Sequence, residues 1–468
     1  MEELPFLTAL PPTDERRFLY TYYGQRVLSS SRKGIRLNPL YVHNQIRSEA
    51  TFLIGQTSPT KRDFLINQAI RDVSCGRSVV FIDGTYDHTI LDQLYYWSRK
   101  RRGYLLYAFT PSFKATHDSH SWNPLICPSL SPGIVAETFL NSFVWSRAGG
   151  RIKNMEFQRE AFSLLYRAIV ESGYVCNCHD LVDILENENV LKWLGKLLVQ
   201  ERGKEFYDEL MELVQKQGGL FRKVNELSSF LRHFHQASLG SYNPKIRLDE
   251  IGRVNCILYV GLADVARDIT SAAIGNVMLN QLQALISTNK IVRPGKGPGL
   301  TIILHQAGPF LDGDITSWMC EKLPPNLILD CSINSVQDLQ NQGAGFLKEI
   351  SHGRNNILLF PTQDTGTIDW FTQTANMRQQ SIQRHDKQVL PDITSEEVRA
   401  LQPTQYLAQV GHEHHPFLTV SPWLPKPPDR QDCRYIHEHY RLLSPPILKG
   451  LFAHRQLNNY SPKNNNKT

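Results

Sequence analysis

Two short segments carry the residues of this sequence that could do chemistry. The first, residues 51–62, reads TFLIGQTSPTKR, and its Gly55 and Lys61 keep the spacing of the phosphate-binding pattern G-x-x-x-x-G-K-[ST]. Thr60 replaces the second glycine, and Arg62 replaces the hydroxyl residue that normally holds Mg²⁺. The segment therefore indicates a phosphate-binding loop (P-loop) that keeps its lysine but has lost its metal ligand.

The second segment is the apolar run at 300–305. Active P-loop enzymes place two acids at the end of such a strand, one for Mg²⁺ and one to polarise the attacking water. This chain has His305 and Gln306 there, and imidazole and amide groups are poor ligands for a hard cation. We therefore expect no catalytic residue at these positions, weak ATP binding at most, and no bound Mg²⁺. An incidental lysine after an ordinary strand is the alternative, but two altered segments together favour descent from an ATPase.

Short, almost continuous apolar runs supply the elements that must position these segments. Such runs are typical of strands buried on both faces of a parallel sheet, and they alternate here with helical patterns. We predict an α/β fold, a RecA/HerA-like P-loop core with a mostly parallel sheet. The predicted strands are TFLIG (51–55), SVVFID (78–83), YLLYAF (104–109), CILYVGL (256–262), LTIILH (300–305), NLILDCS (326–332) and NILLFPT (356–362).

Helical periodicity replaces the strand pattern between the third and fourth predicted strands, which predicts an inserted all-helical domain. Proline-rich and polar stretches follow residue 390. We divide the chain into an N-terminal segment (1–33), the first part of the core (34–128), the helical insertion (129–245), the second part of the core (246–390) and a C-terminal extension (391–468). The last ~10 residues are expected to be disordered.

Composition limits the class of protein. The 468 residues are 41% hydrophobic and 21% charged, which is ordinary for a globular protein, and the formal net charge is +6. The eight cysteines lack a disulfide-framework spacing, so we expect reduced thiols and a cytoplasmic, bacterial location. We find neither a signal-peptide pattern nor an apolar run of about 18 residues, so the sequence predicts no membrane span.

In order along the chain, these segments resemble the TraD/TraG-type coupling proteins of conjugation and type IV secretion, particularly the TraD-like proteins of integrating conjugative elements. GRSVVFIDGTYD at 76–87 resembles the family's second strand and D-P-K-G-D motif, with Asp83 and Asp87 kept. SHSWNPL at 119–125, ILYVGLADV at 257–265 and LTIILHQAGPF at 300–310 follow. NSVQDLQNQGAGF resembles the family's sensor segment, with Asn334 in place of glutamine, and HGRNNILLFPTQDTGT resembles the segment after it.

The resemblance implies a hexameric motor that delivers DNA to a secretion channel and contacts relaxosome proteins through its helical insertion. We expect this chain to lack the N-terminal transmembrane pair of the family, and it departs from the family in lacking the acidic strand and in its altered P-loop. We therefore expect a pseudo-ATPase that acts as a structural or adaptor subunit beside an active coupling protein, and that reaches the inner membrane only through partners. Homo-oligomerisation remains open. The candidate nucleotide-binding residues are Gly55, Thr60, Lys61, Arg62, Asp83 and Asp87.

Two other functions stay open. The chain could be an active DNA-translocating ATPase whose metal ligands are Asp83 or Asp87, or a stand-alone DNA-binding or interaction protein. A basic cluster supports the second alternative, because it could contact DNA or lipid phosphates, although such clusters more often cap a solvated helix end. The cluster consists of Arg99, Lys100, Arg101 and Arg102.

Histidine and cysteine clusters are the remaining candidates for chemistry. GHEHHPF at 411–417 and HEH at 437–439 lack the spacing of a zinc-protease helix, and Cys176, Cys178 and His179 lack a partner pair for a zinc site. We interpret the histidines as surface residues and the cysteines as part of the core or a loop. The sequence therefore predicts no metal site.

Overall fold

The computed structural model describes most of the chain. The described residues are 7–8, 20–31, 34–100, 104–111, 119–142, 155–216, 223–262, 269–292, 299–311, 313–340, 344–352, 355–383, 392–410 and 416–422.

The sheet contains twelve strands in the order β1-β3-β2-β12-β11-β10-β4-β9-β8-β5-β7-β6. The strands are β1 (Leu7–Thr8), β2 (Tyr20–Ser31), β3 (Gly34–His43), β4 (Thr51–Ile54), β5 (Ser78–Asp83), β6 (Leu105–Phe109), β7 (Cys256–Gly261), β8 (Leu300–His305), β9 (Leu327–Ile333), β10 (Asn356–Leu359), β11 (Gln405–Gln409) and β12 (Phe417–Val420).

The strands from β10 to β7 in this order pair in parallel, as the continuous apolar runs predicted. All seven predicted strands are present, and the α/β fold with a mostly parallel sheet is confirmed. The register pairs Asp83 with His305 and Ile54 with Ile333. Because the carboxyl ends of parallel strands meet at one edge, the residues that follow β4, β5, β8 and β9 lie together.

An antiparallel extension of the sheet was not predicted. β2 and β3 form a long hairpin, and β12 pairs with β2 while β11 pairs with β10, so both ends of the chain contribute to the same sheet. The hairpin crosses the position between residues 33 and 34, where the sequence suggested a boundary. β11 and β12 lie in the stretch that we had assigned to a C-terminal extension.

Helices cover the strands and form a separate region. They are α1 (Asn44–Arg47), α2 (Pro59–Ser74), α3 (His88–Lys100), α4 (Pro132–Asn141), α5 (Met155–Glu171), α6 (Cys178–Glu186), α7 (Glu188–Leu197), α8 (Lys204–Lys216), α9 (Asn225–Arg232), α10 (Ile269–Ser287), α11 (Gly313–Cys320), α12 (Val336–Gln340), α13 (Ala344–His352), α14 (Thr365–Gln383) and α15 (Ser395–Arg399). Among the described residues, none of these helices is both long and apolar enough to cross a membrane.

The chain divides into two compact units. The described residues of 1–107, 252–266 and 292–434 form the first unit, and those of 108–251 and 267–291 belong to the second. The second unit contains α4 to α10 around an aromatic cluster. In that cluster Phe139 stacks on Phe162 at 5.4 Å between ring centroids and contacts Phe234 at 5.0 Å.

A buried charge network holds α1, α2 and β9 together within the first unit. Arg47, which is fully buried, donates two hydrogen bonds to Asp72, at 2.8 and 3.0 Å, and one to Asp330, at 3.1 Å. Its Nη1 also donates to the Thr21 hydroxyl at 2.9 Å. The buried carboxylates need this cation, so the network fixes α1, which carries Arg47 and precedes the P-loop strand, against α2 and β9.

Candidate nucleotide site

The P-loop segment turns directly from β4 into α2. Ser58 is the N-cap of α2 and Pro59 occupies the first turn, a combination that begins a helix efficiently. The Ser58 hydroxyl accepts a hydrogen bond from the Lys61 backbone N–H at 3.2 Å. In a functional P-loop, a phosphate oxygen accepts from the N–H groups at this helix end. A side chain of the protein itself takes that role here.

Three further backbone donors of the turn are used inside the protein. The Gly55 N–H donates to the Ile333 carbonyl and the Gln56 N–H to the Pro361 carbonyl, each at 3.3 Å. The Arg62 N–H donates to the Ser58 carbonyl at 3.1 Å, and proline has no N–H to offer. The N–H groups of Gln56, Lys61 and Arg62, three of the donors that would surround a phosphate, are therefore already committed to acceptors of the chain.

Lys61 points into the protein. Its side chain is fully buried, and Nζ donates to the Gly55 carbonyl at 2.5 Å and to the Ile333 carbonyl at 2.9 Å. Burial lowers the pKa of the Lys61 ammonium to about 7, against smaller effects of Asp338 and Cys331 that raise it. The lysine that should neutralise phosphates is thus bonded to backbone carbonyls and carries a reduced positive charge at neutral pH.

Gly55 is required by the turn. Its φ is +138°, a conformation that side-chain-bearing residues rarely adopt, and an added Cβ would lie 2.6 Å from the Phe360 carbonyl oxygen. We expect Gly55→Ala to lower the free energy of unfolding by about 1–3 kcal/mol, measured by urea denaturation. Gly366→Ala is the matched control, because a Cβ there meets only Asp364 atoms at 3.7 Å or more. Equal stability of both variants would contradict this assignment.

Arg62 and Thr60 make other contacts than the residues they replace. Arg62 Nη1 pairs with Asp87 at 3.1 Å, and the Arg62 guanidinium also pairs with neighbouring Asp63 at 3.0 Å. The Thr60 hydroxyl donates to the Pro403 carbonyl at 2.7 Å, which ties the start of α2 to the segment before β11. Where a P-loop enzyme has a metal-binding hydroxyl, this chain has a cation that neutralises one of the two predicted aspartates.

Asp83 forms the centre of a buried hydrogen-bonded cluster. His305 Nδ1 lies 2.9 Å from Asp83 Oδ1, and the Tyr259 hydroxyl donates to Oδ2 at 2.9 Å. Burial alone would raise the pKa of the Asp83 carboxyl, but hydrogen bonds from His305, Thr85 and the Asp87 backbone hold it below its usual value. Because the carboxylate can only accept, His305 Nδ1 carries the hydrogen, and His305 Nε2 has no hydrogen-bond partner among the described residues.

These contacts decide how well the two aspartates fit a magnesium ion. Asp83 Oδ1 accepts from Thr85 as well as from His305, and its Oδ2 accepts from the Asp87 N–H at 2.6 Å. Asp87 accepts from the Thr89 N–H and from Arg62. Each of these carboxylate oxygens already has a donor, and Mg²⁺ requires near-octahedral oxygen ligands. The residues present therefore do not fit a magnesium-nucleotide site.

The predicted sensor and acidic-strand positions meet the P-loop in a ring of neutral side chains. The Gln306 amide donates to the Thr57 hydroxyl at 2.5 Å, the Thr57 hydroxyl donates to Asn334 Oδ1 at 3.0 Å, and the Asn334 amide donates to Gln306 Oε1 at 3.3 Å. Gln306 has φ of +53°, a strained backbone conformation that tends to occur at functional positions. The structure thus brings the three segments together, but through amide and hydroxyl groups rather than acids.

Sequence reasoning missed several residues of this site, among them Ser58, Tyr259 and Asp338. Ser58 was visible as a Ser-Pro pair, a common helix start, and that signal could have revealed the cap. Tyr259 lies inside a strand, and only the pairing of β7 with β5 places its hydroxyl at Asp83. Asp338 accepts from the Asn334 and Ser335 N–H groups at 3.0 and 3.2 Å, and no sequence signal related it to Lys61.

Other predicted candidates lie elsewhere. Arg99 and Lys100 are exposed at the end of α3, whereas Arg101, Arg102 and the histidine-rich stretches at 411–415 and 437–439 lie outside the described residues. Cys176 and Cys178 are buried in the second unit, and the His179 ring stacks on His235 at 3.7 Å. Within the described part of the chain, no group of three or more His, Cys, Asp or Glu side chains is arranged to hold a metal.

Comparisons with known proteins found similar folds but no similar sequence. No family model matches the chain, and no curated protein matches its sequence. Among solved structures, an unbound form of the conjugative coupling protein TrwBdeltaN70 is 10% identical, with a TM-score of 0.51 over 86% of this chain and 94% of that one. TrwB in complex with the GTP analogue GDPNP is 11% identical, with a TM-score of 0.51 over 90% and 96%. VirB4 of Thermoanaerobacter pseudethanolicus is 13% identical, with a TM-score of 0.49 over 86% and 96%.

The likeness to TrwB covers 86–90% of this chain and 94–96% of the TrwB chains. At 10–11% identity, this likeness concerns the path of the backbone alone. The protein has the fold of a conjugative coupling protein.

Proposed function

We propose that this chain is a coupling-protein-like subunit that does not hydrolyse ATP and that serves a conjugative DNA-transfer or type IV secretion apparatus as a structural or adaptor component. The observation that carries the proposal is the P-loop itself, in which Ser58 caps α2 and Lys61 Nζ is bonded to two backbone carbonyls. A nucleotide would have to displace both contacts before it gained any of its own.

Magnitudes support the loss of turnover. Charge-stabilising groups in phosphoryl transfer are each worth about 10³–10⁵ in rate, and oriented donors in active sites are worth about 10²–10³. This chain has a cation at the metal-ligand position and His305 and Gln306 at the acidic positions. Because these changes affect charge neutralisation, metal binding and water activation together, we expect no measurable hydrolysis.

The fold supplies the context for the adaptor role. The similar structures are named as a conjugative and a plasmid coupling protein. A chain with that fold that does not hydrolyse ATP would act by binding other proteins. In this proposal the helical unit contacts a relaxosome protein or an active coupling protein, and the protein reaches the cytoplasmic side of the membrane by way of those partners.

The test is complementation of DNA transfer. Deletion of the gene is expected to reduce transfer, and both the wild-type gene and Lys61→Met are expected to restore it fully, because the role requires no hydrolysis. Purified wild-type protein with Mg²⁺ and DNA is expected to release phosphate no faster than the variant. The proposal would be refuted by phosphate release that Lys61→Met abolishes, together with failure of that variant to restore transfer.

A further inference from the structure

A small cavity lies between the last turns of α2 and α3, away from the candidate nucleotide site. Its volume is about 170 Å³, and it is lined by Ile70, Val73 and Ser74 of α2 and by Trp97 and Lys100 of α3. The lining combines aliphatic side chains with an indole, a hydroxyl and an ammonium group. The cavity therefore suits a ligand that is apolar at one end and anionic at the other.

Trp97 adds an unused hydrogen-bond donor to this lining. Its indole Nε1 is buried and has no hydrogen-bond partner among the described residues. Buried indole N–H groups normally find an acceptor, and an ester or phosphate oxygen at the cavity would provide one.

Lys100 lines the cavity, and two further basic residues lie in the last turns of the same two helices. Arg71 lies in the last turn of α2, and Arg99 and Lys100 lie in the last turn of α3. In the described part of the chain, none of the three forms an ion pair with a carboxylate. Arg99 donates to the Tyr95 hydroxyl at 2.9 Å, and the Lys100 ammonium lies 5.1 Å from the Tyr96 ring centroid. The aromatic rings orient the cations but leave their charge uncompensated.

Together these residues have the composition of a membrane interface. Tryptophan and tyrosine prefer the headgroup level of a bilayer, and basic side chains attract anionic lipids. We propose that the α2–α3 patch (Arg71, Trp97, Arg99, Lys100 and the cavity) docks on an anionic phospholipid surface, with lipid phosphate at Lys100 and Arg99. The apolar part of the same lipid enters the cavity, which a nucleic-acid phosphate would leave unfilled. This direct contact with lipid replaces the partner-mediated membrane contact of the proposed function, and it is independent of the rest of that proposal.

Vesicle binding tests the proposal. The full chain is incubated with vesicles of phosphatidylcholine alone or mixed with phosphatidylglycerol, and bound protein is measured by co-sedimentation. We expect binding to the mixed vesicles that weakens as salt rises, and little binding to phosphatidylcholine alone. Lys100→Glu is expected to reduce the partition coefficient by fivefold or more, at about fivefold per basic residue. Lys348→Glu, on an exposed position of α13, is the matched control.

A second readout concerns the cavity. Tryptophan emission is expected to shift to shorter wavelength on binding to the mixed vesicles, and Trp97→Phe is expected to remove most of that shift. Trp370→Phe is the control, since Trp370 Nε1 also lacks a partner among the described residues but lies on α14. Circular dichroism establishes that each variant folds.

Three results would overturn the proposal. The first is absence of binding to the mixed vesicles, and the second is equal binding of wild type and Lys100→Glu. The third is loss of duplex-DNA binding in Lys100→Glu without any vesicle binding by the wild type, which would assign the patch to nucleic acid instead.

Discussion

Replacement of Arg47 by alanine is expected to lower the free energy of unfolding by about 3–5 kcal/mol. The reason is that Asp72 and Asp330 would remain buried without the Arg47 guanidinium, which now lies 2.8 and 3.1 Å from their carboxylate oxygens. Removal of one member of a buried ion pair leaves an uncompensated charge, which is far more costly than the net gain from the pair. Denaturation in urea, followed by circular dichroism, measures the loss.

Arg62→Ala is the matched control for this prediction. Arg62 also pairs with two aspartates, but its side chain is 24% exposed, and ion pairs that water reaches contribute at most about 1 kcal/mol. A triple replacement of Arg47, Asp72 and Asp330 by apolar residues of similar size is expected to recover much of the stability. A loss below 1 kcal/mol for Arg47→Ala would show that the network does not anchor the P-loop strand.

Replacement of Lys61 by methionine is expected to change how stability depends on pH. The pKa of Lys61 falls from 10.5 to about 7 in the folded protein. Between these values the unfolded chain holds one more proton than the folded chain, so the free energy of unfolding rises with pH. Each pKa unit corresponds to about 1.4 kcal/mol, so burial of Lys61 destabilises the folded protein by about 5 kcal/mol in total. This destabilisation is complete below pH 7 and disappears by pH 10.5.

Methionine has a similar length and does not titrate, so the variant lacks this pH-dependent destabilisation. It also loses the hydrogen bonds that Nζ donates to Gly55 and Ile333, at about 1–3 kcal/mol for each carbonyl left without a donor. These losses hardly depend on pH. The stability of the variant relative to wild type is therefore expected to fall by about 2–3 kcal/mol between pH 7 and pH 9.

Urea denaturation of both proteins across this pH range measures the difference. Lys348→Met serves as the control, because Lys348 is exposed and its removal should leave the pH profile unchanged. Parallel profiles for wild type and Lys61→Met would mean that the Lys61 amine is solvated and is not bonded to the backbone.

Local patterns were sufficient for the parallel core of the fold. Each of its strands is a short, buried and mostly apolar run, which is typical of a strand that is covered on both faces. The sequence did not predict β11 and β12, because QYLAQ and FLTV are short and lie in a polar, proline-rich stretch. These two strands are stabilised by pairing with β10 and β2, and a local sequence pattern does not show that pairing.

The candidate site was predictable in its residues but not in their contacts. The replacement of acids by His305 and Gln306 is visible in the sequence. The bond between His305 and Asp83 depends on the register of β5 against β8. The contacts of Gln306 with Thr57 and Asn334 arise because the carboxyl ends of β4, β8 and β9 lie at the same edge of the sheet. Likewise the sequence shows Lys61 at the correct spacing, whereas its inward orientation is visible only in the bonds from Nζ to the Gly55 and Ile333 carbonyls.

Nucleotide binding by the purified chain is the most direct test of the claim that the protein's own groups fill the P-loop. Titration calorimetry with ATP and Mg²⁺, together with the thermal unfolding temperature at millimolar nucleotide, measures it. We predict no saturable heat and no shift of the unfolding temperature, because a ligand stabilises a protein only if it binds the folded state. Saturable binding with a rise in unfolding temperature, both lost in Lys61→Met, would contradict the account.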